Sequence, residues 1–87
     1  MQTNLKPKAV IWSQQSCPAC DAAKKLAQEL GLDYEVKMLD SVKTKEVFFE
    51  QFPGARSVPQ ITLDGKWVGG LQEFRQALGE YNTKVLK

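Results

Sequence analysis

The feature that most constrains the fold is the segment Cys17-Pro18-Ala19-Cys20, which holds the only two cysteines of the 87-residue sequence. An apolar run precedes this segment and an amphipathic run follows it, a pattern that predicts a strand, a tight turn and a helix. Pro18 suits the first helical position, where its missing N–H removes no hydrogen bond. We therefore expect the first sulfur at the helix N-terminus and the second about one turn further on.

A thiol at that position is expected to be reactive. The free N–H groups and the dipole of a helix N-terminus stabilise negative charge, so they favour the thiolate. A lowered pKa makes a thiol reactive at neutral pH, and a second thiol one turn away can close a disulfide. The pair therefore predicts a thiol–disulfide redox site. Two incidental buried thiols, or half of a metal site, are the alternatives.

Length and charge exclude several other classes of protein. A chain of this length predicts one small domain, 1–87, with residues 1–7 as a loose lead-in. Twelve Lys and Arg against ten Asp and Glu give no case for a nucleic-acid partner. No apolar run approaches the roughly 20 residues that cross a bilayer, so no membrane association is expected. The polar start lacks a hydrophobic signal core, which favours a cytoplasmic location.

The ligand inventory argues against a metal centre. There is no histidine, which removes histidine-based acid–base catalysis and the common Cys/His zinc sites. Two cysteines alone cannot complete a four-cysteine zinc site within one chain. We therefore expect no bound metal, which leaves a catalytic cysteine pair as the favoured interpretation. The chain is also expected to be a monomer.

Apolar patterning predicts the element order βαβαββα, an α/β fold with a mixed four-stranded sheet flanked by three helices. Strands are predicted at Lys8–Ser13, 34–39, 60–63 and 67–68, and helices at 18–30, at 43–52 and from 71 onward. Ser41 or a neighbour would cap the second helix, whose Val47, Phe48 and Phe52 would face the core. One phenylalanine among residues 48, 49 and 52 must face another way. The last helix would bury one face, marked by Leu71, Phe74, Leu78 and Tyr81.

Three motifs in this order resemble the dithiol glutaredoxins of the thioredoxin superfamily. The first is the Cys17–Cys20 segment. The second is Ser57-Val58-Pro59-Gln60, similar to that family's Thr-Val-Pro. The third runs from Asp64 to Gly70, similar to the family's hairpin that ends in a double glycine. The resemblance spans about residues 8–80 and implies a thioredoxin-like fold.

The resemblance implies a role for each matching residue. Cys17 would be the nucleophile and Cys20 the resolving thiol. Val58 would present its backbone to the cysteine of glutathione, and Pro59 would follow a cis peptide bond beside the disulfide. From the residues alone, an ordinary trans proline is the alternative, because cis bonds are about 5–6% of X–Pro bonds.

The resemblance also implies a place for the γ-glutamyl end of glutathione, at Gly70, Gln72 and Glu73. Free N–H groups at a helix start suit a carboxylate, and an acidic side chain suits the adjacent ammonium group. The alternatives are a plain turn at the double glycine and a solvated first helical turn, where an acidic residue merely complements the helix dipole.

The sequence departs from the family pattern at three positions. Ala19, which the resemblance implies is part of the glutathione site, stands where the family usually has Tyr or Phe, so a more open site is expected. Gln14 replaces the Lys or Arg often found three residues before the first cysteine, so a cation for the glycyl carboxylate of glutathione is missing. Arg56 could supply that charge. Ser57 replaces Thr and keeps the hydroxyl group.

These observations favour a glutathione-dependent oxidoreductase that reduces protein disulfides and protein–glutathione mixed disulfides. Glutathione would be the reductant, and ribonucleotide reductase is a partner that the resemblance suggests. One alternative is a similar electron donor reduced by thioredoxin reductase. Another is a dimeric [2Fe–2S] carrier, in which one cysteine from each chain and two glutathione molecules supply four thiolates.

Overall fold

Four strands and three helices follow one another in the predicted order. The computed structural model describes the backbone of residues 7–86 and the side chains of residues 7–79. The elements are β1 (Lys8–Ser13), α1 (Pro18–Glu29), β2 (Asp33–Met38), α2 (Val42–Gln51), β3 (Gln60–Leu63), β4 (Lys66–Gly69) and α3 (Leu71–Leu86). The expected lead-in, apart from Pro7, and the Tyr81 side chain lie outside the described parts. No described helix is long and apolar enough to span a bilayer.

The sheet is mixed, as predicted, and has the strand order β2-β1-β3-β4. β1 pairs in parallel with β2 and antiparallel with β3, which pairs antiparallel with β4. Trp12 near the end of β1 lies opposite Gln60 at the start of β3. The loop that leaves β1 and the segment that enters β3 therefore meet at one edge of the sheet.

The two faces of the sheet carry separate apolar clusters, because successive β1 side chains point to opposite faces. The larger cluster joins the sheet to α1 and α3 through Ala9, Ile11, Ala23, Ala27, Leu32, Ile61, Phe74 and Leu78. The smaller cluster joins the opposite face to α2 through Trp12, Phe48 and Phe52. This is the α/β architecture expected of a thioredoxin-like fold.

Two helix boundaries show the predicted local chemistry. The Ser41 hydroxyl accepts the Thr44 N–H at 3.1 Å and the Thr44 hydroxyl accepts the Ser41 N–H at 3.1 Å, so Ser41 caps α2. Gly31 follows α1 with φ +68°. Its N–H donates to the Gln28 carbonyl at 3.1 Å, while the Leu32 N–H donates to the Ala27 carbonyl at 3.0 Å. This pair of bonds is the Schellman arrangement that ends a helix at glycine.

The prediction that Val47 of α2 faces the core is wrong. Val47 is 37% exposed, whereas Phe48 and Phe52 are buried. These two phenylalanines lie one turn apart and form the narrow stripe that contacts the sheet, and Val47 lies about 100° away from that stripe. Phe49 is 56% exposed and is the phenylalanine that faces another way. β2 lies one residue earlier than predicted, although the Leu39 N–H still donates to the Ser13 carbonyl at 2.8 Å.

Candidate active site

Cys17 and Cys20 form a disulfide at the N-terminus of α1, with their Cα atoms 5.2 Å apart. Cys17 is the N-cap residue in an extended conformation, and Pro18 occupies the first helical position as predicted. The Cys20 N–H donates to Cys17 Sγ at 3.2 Å. Cys17 is half-buried and Cys20 is fully buried. The outer sulfur is therefore the one that an external thiol or disulfide can reach.

The segment that enters β3 lies against this outer sulfur. The Val58–Pro59 peptide bond is cis, which confirms the expectation drawn from the resemblance. The Val58 carbonyl oxygen lies 3.8 Å from Cys17 Sγ. The antiparallel pairing of β1 with β3 brings the two segments to the same sheet edge. Val58 thus offers a backbone edge beside the sulfur. Ala19 is half-buried between the two cysteines in the first turn of α1.

The start of α3 closes another side of the site. The Gly70 N–H donates to Glu73 Oε1 at 2.9 Å, so Glu73 caps the helix on which it lies. Gly69 has φ +124°, and a Cβ placed on it would lie 2.9 Å from Glu73 Cγ, so this position favours glycine. Gln72 is exposed in the same turn. The helix-terminus role considered as the alternative for Glu73 is therefore present, and the γ-glutamyl assignment of this turn stays a prediction.

A cavity of about 440 Å³ joins this helix start to the segment before β3. It is lined by Ser57, Gln60, Trp67, Val68, Gly69, Gly70 and Glu73. The structure therefore brings Ser57, Gly70 and Glu73 together, although the first is separated from the other two by a complete β-hairpin.

An open groove of about 290 Å³ lies on the side of the site that faces α2. Its lining residues are Gln14, Leu39, Lys45, Phe48, Phe49, Arg56, Ser57 and Val58. Gln14 and Arg56 both line this groove. Arg56 could therefore supply the positive charge that is missing at Gln14, as the sequence interpretation requires. The two cations of the groove, Lys45 and Arg56, form no ion pair with any residue that the structure describes. The groove is consequently suited to a carboxylate.

Sequence reasoning missed Lys45 and Gln60. Lys45 falls within the predicted second helix, but the pattern does not show which side of that helix turns toward the segment before β3. Gln60 is only 8% exposed. Its Nε2 donates to the Ser57 carbonyl at 2.9 Å and its Oε1 accepts the Trp67 Nε1–H at 2.8 Å. The available signal was a polar residue at the first position of a buried strand, because a buried amide group requires hydrogen-bond partners.

The fold and the site together define a thioredoxin-like protein with a dithiol–disulfide pair at a helix N-terminus and a cis-proline segment beside it. Residues 9–68 match the glutaredoxin family model. The chain belongs to the glutaredoxin family, whose members are thiol–disulfide oxidoreductases.

Individual relatives agree with this assignment. The chain is 38% identical to mitochondrial glutaredoxin-2 of Rattus norvegicus over 64 residues, which cover 70% of this chain and 41% of the relative. It is 34% identical to a glutaredoxin of Ricinus communis over 64 residues, covering 70% of this chain and 63% of that protein. The chain therefore spans less than two thirds of the length of these relatives.

Solved structures show the same fold. The reduced glutaredoxin of Escherichia coli superposes with a TM-score of 0.73 at 29% identity, covering 84% of this chain and 94% of that one. A buckwheat glutaredoxin–glutathione complex superposes with a TM-score of 0.70 at 27% identity, covering 85% of this chain and 70% of that one.

Proposed function

We propose that this chain is a glutathione-dependent oxidoreductase that reduces protein disulfides and protein–glutathione mixed disulfides. The observation that carries the proposal is the Val58 carbonyl 3.8 Å from Cys17 Sγ. A peptide joined to Cys17 through its own cysteine would lie along this backbone edge and could pair with it as a strand does. The similarity to a glutaredoxin solved with glutathione supports glutathione as that peptide.

Reduction of a protein disulfide uses both cysteines. The Cys17 thiolate attacks one substrate sulfur, and the substrate S–S bond breaks as the other sulfur leaves as a thiolate. The Cys20 thiolate then attacks Cys17 Sγ, which releases the second substrate thiolate and forms the Cys17–Cys20 disulfide. Two electrons pass to the substrate, and two glutathione molecules return them as they become glutathione disulfide. Because Cys20 is buried, it acts within the chain.

Removal of glutathione from a protein needs only Cys17. Its thiolate attacks the glutathione sulfur of the mixed disulfide, and the protein thiolate leaves. A second glutathione then attacks the glutathione sulfur bound to Cys17 and leaves as glutathione disulfide, which restores the Cys17 thiolate.

The remaining parts of glutathione have charged or polar neighbours in the site. The γ-glutamyl end would lie at Gly70, Gln72 and Glu73, where the carboxylate of Glu73 can face the ligand ammonium group. The glycyl carboxylate would lie in the groove with Lys45 and Arg56, which replace the cation missing at Gln14. Charge-assisted hydrogen bonds of this kind are stronger than neutral ones.

A comparison of electron sources tests the proposal. Reduction of a glutathionylated protein is followed as NADPH oxidation, with glutathione and glutathione reductase in one arm and thioredoxin reductase in the other. We expect turnover in the first arm, and Cys17→Ser should abolish it. Turnover only with thioredoxin reductase would contradict the proposal. Anaerobic purification with glutathione adds a second test, because a brown dimer without reductase activity would favour the iron–sulfur carrier.

A further inference from the structure

We propose that Gln60 and Trp67 are positioning residues that hold the Val58 backbone edge in register for glutathione. The inference rests on the proposed function and assigns roles to two residues outside the predicted site. The Trp67 indole N–H donates to Gln60 Oε1 at 2.8 Å, and Gln60 Nε2 donates to the Ser57 carbonyl at 2.9 Å. These bonds form a relay from β4 to the residue before Val58.

The segment before β3 needs such an anchor because the sheet does not hold it. Pairing of β3 with β1 begins at Gln60, opposite Trp12. Pro59 has no N–H to donate to a neighbouring strand. In the described part of the chain, the Gln60 side chain is the hydrogen-bond donor to the Ser57 carbonyl. The side chain of the first paired residue thus restrains the backbone just outside the sheet.

The chemistry of the indole sets the direction of the relay. An indole N–H can only donate, so Gln60 must present its oxygen to Trp67 and its NH₂ group to Ser57. The Trp67 ring is held by an edge contact with Phe52, with the ring centres 5.1 Å apart. Gln60 is only 8% exposed, so water has little access to its amide group, whereas Trp67 is 44% exposed.

The relay also spans the distance between two parts of the glutathione site. Trp67 and Gln60 line the cavity that contains Gly70 and Glu73, and the relay ends at Ser57 beside Val58. One ligand would contact both Val58 and the α3 start. A fixed spacing between these contacts lowers the ordering cost of binding, as preorganisation does generally. The relay should therefore affect glutathione recognition and not the reactivity of Cys17.

The test uses single-thiol proteins, with Cys20→Ser as the parent. Gln60→Glu keeps an acceptor for Trp67 but loses the donor to Ser57, whereas Trp67→Phe keeps an aromatic ring and loses the donor to Gln60. Thr62→Val is the matched control, since Thr62 lies opposite Trp67 in the sheet and outside the relay. The equilibrium constant for mixed-disulfide formation at Cys17 is measured with glutathione disulfide and with hydroxyethyl disulfide, which lacks the peptide groups.

We expect Gln60→Glu to reduce the preference for glutathione disulfide by about tenfold, as the loss of one buried hydrogen bond would. Trp67→Phe should reduce it in the same direction. Thr62→Val should leave the preference within about twofold of the parent, and all variants should keep the parental rate of Cys17 alkylation by iodoacetamide. Trp67→Phe buries no charge, so it tests the role of the relay if Gln60→Glu fails to fold.

Two failures are distinguishable. If the parent prefers glutathione disulfide and Trp67→Phe keeps that preference while losing stability to denaturant, the relay is only structural and the inference is wrong. If the parent itself shows no preference for glutathione disulfide over hydroxyethyl disulfide, the proposed function is wrong, and the relay then has no role in glutathione recognition.

Discussion

Cys17 and Cys20 lie three residues apart yet occupy different environments. Cys17 caps α1 and is half-buried, with the Val58 carbonyl as a neighbour, whereas Cys20 lies one turn inside the helix with no exposed surface. The Cys20 N–H donates to Cys17 Sγ at 3.2 Å in the disulfide form, and the same donor would stabilise a Cys17 thiolate after reduction. The proposed division of labour between an attacking and a resolving thiol rests on this difference in position.

The two thiols should therefore react at different rates. When the reduced protein is treated with less than one equivalent of iodoacetamide at neutral pH, we expect peptide mass spectrometry to find the label on Cys17. In Cys17→Ser, the remaining Cys20 should react about tenfold or more slowly, because a buried thiol is poorly reactive. Preferential labelling of Cys20 would reverse the assigned roles.

The charge of the groove beside Cys17 gives a second prediction at this scale. Gln14→Lys should lower the KM for glutathione, because the added cation joins Lys45 and Arg56 in the groove. The gain in binding free energy should be only about 0–1 kcal/mol, because the added cation is solvent-facing. The gain should fade as salt is added. Gln15→Lys is the control, since this exposed neighbour does not line the groove. Equal effects of both variants would contradict a local contact at Gln14.

At the scale of elements, local signals account for the parts of the fold that the sequence predicts well. Pro18, Gly31 and Ser41 act on the backbone beside them, so α1 and α2 begin and end near the predicted residues. Contacts between elements are less visible in a sequence. Val47 is exposed because α2 touches the sheet through a narrow stripe. The proposed roles of Lys45 and Gln60 depend on how α2 and β4 approach the segment before β3.

The β3–β4 hairpin offers a test of element stability. Asp64 and Gly65 have φ values of +52° and +85°, as a two-residue hairpin turn with positive φ at both positions requires. Asp64 Oδ1 also accepts the Lys8 N–H at 2.9 Å, and the Asp64 N–H donates to the Lys8 carbonyl at 2.8 Å. The turn is therefore tied to the first residue of β1.

Asp64→Ala should lower the free energy of unfolding by about 1–2 kcal/mol, because it removes the acceptor for Lys8 and places alanine in a left-handed conformation. Asp64→Asn should keep most of the stability, since asparagine retains an acceptor oxygen and tolerates positive φ. Urea denaturation of the three proteins measures the difference. Equal midpoints for the alanine and asparagine variants would contradict the account of this turn.

At the scale of the whole molecule, the site forms where the end of β1, the starts of α1 and α3, and the segment before β3 meet. The β1–β3 pairing creates this meeting point, and the apolar clusters on the two sheet faces hold the helices in place. Apart from Ala19 on α1, the residues proposed to contact glutathione therefore lie outside the element that carries the cysteines. Covalent chemistry and ligand recognition should be separable by mutation.

Cys17 is proposed to exchange glutathione without Cys20, and to need Cys20 only for the release of a reduced protein disulfide. The direct measurement compares Cys20→Ser and Cys17→Ser with the parent, using a glutathionylated protein and a protein disulfide as substrates. Cys20→Ser should retain substantial deglutathionylation and lose most disulfide reduction, because free glutathione can replace Cys20 as the second thiol in the first reaction only. Cys17→Ser should lose both activities. Loss of deglutathionylation in Cys20→Ser as complete as in Cys17→Ser would contradict the claim.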